Sequence, residues 1–65
     1  MTNIIGEMSG QVWQTLNSKG AMSVAKLKTA LKADAFVLNA AIGWLAREEK
    51  VTVTKKGNTV TVSLK

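Results

Sequence analysis

A small α+β domain, three helices followed by a C-terminal β-hairpin, is predicted by three features of this 65-residue chain. The stretch from Asp34 to Glu49 carries apolar residues at helical spacing behind an N-capping Asp. Residues 51–64 switch to strand-like alternation, with Val51, Val53, Val60 and Val62 placed around Gly57-Asn58. Ahead of both lie two amphipathic patterns, the second joined to the long helix only by Lys32-Ala33, which is the layout of a helix-turn-helix. Taken in order, these elements make a winged helix-turn-helix occupying residues 1–65 as one domain.

The first helix runs from a cap at Thr2 or Asn3 to about Ser18, with Glu7 near the positive end of its dipole. Ile5, Met8, Val12 and Leu16 form its apolar stripe, and Lys19-Gly20 ends it, the glycine supplying a left-handed residue cheaply. Gly6 and Gly10 sit one turn apart on the side that also carries Trp13 and Asn17. Each glycine weakens a helix by about 1 kcal/mol relative to Ala, so a compensating reason is expected. Close approach of another helix of the same domain is the leading reason, ahead of a ligand or partner contact.

Ala21-Met22 reads as a short extended segment able to pair with the wing, and Ser23 caps a second helix from Val24 to about Lys32. Val24, Leu27 and Leu31 make its buried stripe, while Lys26, Lys28 and Lys32 occupy the other sides, first of all as a solvated face. In the third helix Val37, Leu38, Ala41, Trp44 and Leu45 fall on one side, so Trp44 and Leu45 are both expected in the core. In the hairpin, Gly57-Asn58 at the centre of a type II′ turn sets Lys56 opposite Thr59, Val53 opposite Val62 and Val51 opposite Leu64. The valines and Leu64 then share one side. A turn at Lys56-Gly57 would keep that sidedness.

Composition narrows the function. There is no Cys or His, which excludes disulfides, zinc-finger ligation and histidine-based catalysis. No other metal-ligand spacing or cofactor motif is present. The four acids are Glu7, Asp34, Glu48 and Glu49. Glu48 and Glu49 are adjacent, so on a helix their side chains diverge by about 100° and cannot form a tight pair. No histidine is available to activate a Ser or Thr and no Gly-rich phosphate loop appears, so the chain reads as no enzyme. Nine Lys or Arg residues give a net charge of +5, which favours polyanionic partners and also serves solubility. The chain begins with no basic region followed by an apolar run, and the longest apolar run, Ala40 to Ala46, is too short to span a membrane. The expectation is a soluble, cytoplasmic-type domain with no membrane partner and no small-molecule substrate.

The segments Ile5-Gly6-Glu7, Gly10-Gln11-Val12-Trp13 and Gly43-Trp44-Leu45-Ala46-Arg47-Glu48 resemble a family of short, stand-alone prokaryotic winged helix-turn-helix proteins. The resemblance covers essentially the whole chain, and the Gly-Trp-Leu-Ala-Arg-Glu run is its most specific part. It implies the fold and, by analogy with other winged helices, a role in DNA binding and transcription regulation. It implies no catalytic activity.

Two binding hypotheses follow from the surface. For DNA, the third helix would enter the major groove and the wing would reach the backbone. Lys26, Lys28, Lys32, Arg47, Lys50, Lys55 and Lys56 are the candidate phosphate contacts. Helical geometry turns Ala35, Phe36, Asn39, Ala40, Gly43 and Arg47 outward, and of these only Asn39 and Arg47 suit base readout. Any contact with double-stranded DNA is therefore expected to be weak and mainly electrostatic. The alternative is a homodimeric or protein-interaction module without DNA readout, in which Phe36, Ala40 and Gly43 dock a second copy or another protein. Gly6, Gly10 and Trp13 offer a comparable surface on the first helix, while Phe36 could equally fold back over the edge of the core.

Overall fold

The computed structural model describes residues 2–65. Its elements follow the predicted order: α1 (Thr2–Lys19), β1 (Met22–Ser23), α2 (Val24–Leu31), α3 (Ala35–Arg47), β2 (Val51–Lys56) and β3 (Thr59–Leu64). The strands form one antiparallel sheet in the order β1-β3-β2.

Local chemistry sets most boundaries. The Asp34 carboxylate accepts from the backbone N–H groups of Phe36 (3.0 Å) and Val37 (3.2 Å), capping α3, and the Ser23 hydroxyl accepts from that of Lys26 (3.1 Å), capping α2. Asp34→Ala should lower the melting midpoint by about 4–8 °C through loss of about 1 kcal/mol, measured by thermal circular dichroism. Gly20, at φ +84°, stops α1 and donates its N–H to the Leu16 carbonyl (2.8 Å). Lys32 takes the same left-handed role after α2 at φ 49° without being a glycine, so α2 ends one residue before the expected boundary. Thr2 and Asn3 already lie within α1, so neither is its cap. The preceding residue lies outside the described ones, and Glu7 falls in the second turn, away from the end of the dipole.

The hairpin register is the predicted one, with Val51 opposite Leu64, Val53 opposite Val62 and Lys56 opposite Thr59. Gly57 has φ +61° and Asn58 lies outside the left-handed region, the sign pattern of a type II′ turn. Met22 and Ser23 pair with Val62 and Thr61, so the short extended segment that joins the wing lies one residue later than the expected Ala21-Met22.

The core joins Val12 and Leu16 of α1, Leu27 of α2, Leu38, Ile42 and Leu45 of α3, Val51, Val62 and the turn residue Ala33. Two expectations fail here. Trp44 is 53% exposed, and Ile42 takes the place expected for it. On α3 the buried residues Leu38, Ala41, Ile42 and Leu45 centre the inward side between them, leaving Trp44 on the flank. Val53 is exposed on β2, which forms one edge of the sheet, whereas central β3 buries Val62. Finally, no helix packs closely on Gly6 or Gly10: a Cβ at either would meet no atom within 4 Å. Ser9, unforeseen in the core, is buried with its hydroxyl donating to the Ile5 carbonyl (2.8 Å).

Candidate nucleic-acid interface

The tight α2–α3 turn and the Asp34 cap hold α3 with one side out. Phe36, Ala40, Gly43 and Arg47 point away from the core within an arc of about 60°, as helical geometry requires. Phe36 is 66% exposed and does not fold back over the core, while Ala40 is half-buried rather than fully outward. Asn39 is exposed on one flank. Arg47 shares the outward direction but lies eleven residues from Phe36 in sequence, about 16 Å along the helix axis. This face therefore offers one amide near its start and one guanidinium at its end, with Ala and Gly between them.

The cations fall into groups rather than one stripe. Lys26 and Lys28 are exposed on opposite flanks of α2, about 160° apart by helical geometry, and Lys32 sits at its C-cap. Lys55 and Lys56 occupy the tip of β2. A hollow of about 240 Å³, lined by Ser23, Val24, Ala25, Asn58, Thr59 and Val60, sets the wing tip beside the start of α2. Lys50 is elsewhere: it lines a groove between α1 and α3 together with Glu48. Among the described residues the recorded ion pair is Lys65–Glu49 at 3.5 Å, so none of the candidate cations is held by a carboxylate.

The six candidate interface residues divide as well. Phe36, Ala40 and Gly43 belong to the outward side of α3. Gly6, Gly10 and Trp13 line the α1/α3 groove of about 390 Å³, with Ser9, Gln14, Trp44 and Leu45. Sequence reasoning missed Trp44 as a surface residue, since an indole at helical spacing from Ala41 and Leu45 reads as core. Its position opposite a strip of glycines was the available signal. Among the described residues no group of acids could hold a metal ion, and no helix is long and apolar enough to cross a membrane.

Residues 1–64 match the model of a family described as winged helix-turn-helix domain (DUF2582). The chain belongs to this winged helix-turn-helix family. Within reach of this DUF2582 chain is the uncharacterized protein MJ1608 of Methanocaldococcus jannaschii, 33% identical, with 94% of this chain and 90% of that protein covered. Protein BT2368 from Bacteroides thetaiotaomicron, a solution NMR structure, superposes with a TM-score of 0.83 at 31% identity, covering 95% of this chain and 76% of that one. HlyU from Vibrio cholerae N16961 superposes with a TM-score of 0.82 at 28% identity over 89% of this chain, which spans only 62% of HlyU. The three-helix order and the antiparallel wing thus belong to a recurrent winged-helix architecture.

Proposed function

We propose that the chain is a nucleic-acid-associated, regulator-like winged helix that contacts double-stranded DNA weakly and mainly through charge. The observation that carries this reading is the combination on α3 and its surroundings: an unobstructed outward helix face, nearly bare of base-reading groups, near lysines that no carboxylate holds. Winged helices present such a helix to the major groove and the wing to the backbone. Phosphate contacts supply affinity and register without sequence information, so this chain binds as a positioning module more than a reader. Lys26, Lys28, Lys32, Arg47, Lys55 and Lys56 are the proposed phosphate contacts. Lys50, which lines the α1/α3 groove, is left out of that set.

Fluorescence anisotropy on two unrelated duplexes tests the reading. Affinities should agree within several-fold, and Asn39→Ala should change them little. A strong preference for one duplex, lost in Asn39→Ala, would overturn it.

The homodimeric alternative built on Phe36, Ala40 and Gly43 draws support from the exposure of Phe36. Gly43→Glu separates the two. A side chain there meets nothing within 4 Å, so the variant should fold. On the DNA reading its carboxylate faces the phosphates and weakens duplex binding, while the solution mass stays that of the unmodified chain. A change of mass instead would favour the α3 strip as a docking face.

A further inference from the structure

Gly6 and Gly10 weaken α1, yet no element of the fold uses the room they leave. Trp13, on the same side of the helix, is 40% exposed. Across the groove stands Trp44, more exposed still, with Leu45 at the groove's edge. Large indoles left wet beside a smooth helical strip mark a surface built for contact. We infer that the α1/α3 groove is covered by a second copy of this chain, with α1 crossing the partner's α1 antiparallel near Gly10.

Shape selects the second copy. In an antiparallel crossing with a two-fold axis near Gly10, a residue three positions after Gly10 lies opposite one three positions before it on the other helix. Trp13 then stands about 4.5 Å beyond the axis, over the gap between Gly6 and Gly10 of the partner subunit. The same patch therefore carries both the projection and the hollow that receives it, which is what an isologous two-fold contact requires. Gly6, Gly10 and Trp13 share one side of α1, so all three can take part at once.

Charge agrees. The chain as a whole is +5 and repels its like, but the groove is lined by one acid, Glu48, and one base, Lys50, and is locally neutral. A strongly acidic partner would instead be drawn to the lysines of α2 and the wing. A stable interface takes about 800 Å² from each partner, roughly a fifth of this chain's 4477 Å² surface, so the contact must use the whole α1/α3 face. The tryptophans form its centre, where buried aromatics contribute most. Because the outward side of α3 and the wing stay free, this inference stands or falls independently of the DNA reading.

The test is light scattering on the full chain across a concentration series up to the sub-millimolar range, with tryptophan emission followed in parallel. The expected mass is twice 7.0 kDa, with emission shifting to the blue as the dimer forms. Gly10→Gln should keep its helical circular dichroism, since a side chain there meets no atom of its own chain, and should give 7.0 kDa at every concentration. Trp13→Gln, changing an exposed residue, should do the same and serves if Gly10→Gln fails to fold. A wild-type mass of 7.0 kDa throughout overturns the inference, as does an assembly larger than two chains. So does a dimer that survives both substitutions, or one that separates only in Phe36→Ser, which would place the contact on the outward side of α3.

Discussion

Leu45→Ala is expected to destabilise the domain by about 2–5 kcal/mol, while Trp44→Ala, removing a far larger side chain one residue away, should cost only about 1–2 kcal/mol. Leu45 is 4% exposed among Val12, Leu38, Ile42 and Val51, so truncation forfeits its transfer energy and opens a void in a close-packed core. Trp44 has half its surface in water within its own chain and lines a groove that is open in the monomer, so at concentrations too low for self-association its removal leaves no cavity and only thins one wall. A 65-residue domain has a stability of only a few kcal/mol to spend, so the Leu45 variant should be largely unfolded at 37 °C. Urea titration followed by far-ultraviolet circular dichroism measures both. Equal losses in the two variants, or a greater loss for Trp44, would mean that the indole is the real core residue and α3 is rotated about its axis.

That contrast marks where the sequence stops being legible. Features decided by a few adjacent residues could be read. Asp34 and Ser23 cap because their side chains reach back to amides two or three residues on, and Gly57 fixes the wing because a type II′ turn needs positive φ at its first position. The hairpin register followed from that single placement. The rotation of α3 could not be read so closely. Val37, Trp44 and Ile42 all border the same stripe, and which of them turns inward depends on what α1 presents opposite. There α1 offers Gly6 and Gly10, which carry no side chain to cover an indole within the same chain, so Trp44 stays out and Ile42 goes in. The glycines carried the same ambiguity: a smooth strip permits close approach, but only the fold tells whether the approaching element belongs to the same chain.

The site was legible to a different degree. Each candidate lysine is exposed, and the divergence of Lys26 from Lys28 follows from the helical period, yet sequence alone could not show that Lys50 joins Glu48 in the α1/α3 groove. Side-chain direction on a short helix follows from its period, but the face it shares with distant elements follows from packing. This matters for the strength of binding, because phosphates lie along a defined path and cations pointing apart cannot all reach it.

Duplex affinity is accordingly expected to fall about 10²-fold as salt rises from about 50 to 200 mM, with a slope corresponding to three to five phosphate contacts. Six proposed cations set an upper bound, and the divergence of Lys26 from Lys28 keeps the working number below it. Replacing Lys55 and Lys56 together by Ala should lower the magnitude of the log–log salt slope by about 1 to 2, since adjacent strand residues point to opposite faces, and weaken binding nearly equally on unrelated sequences. Both lysines sit at the exposed tip of β2 beyond the buried Val51, so the fold should tolerate the change. Lys50→Ala should leave the slope unchanged, because that side chain lines the groove between α1 and α3. Anisotropy titrations at four or five salt concentrations give all three slopes. A wild-type slope near zero would remove charge as the source of binding. A Lys50→Ala effect as large as that of the wing pair would mean that the α1/α3 side, rather than α3 and the wing, lies against the DNA.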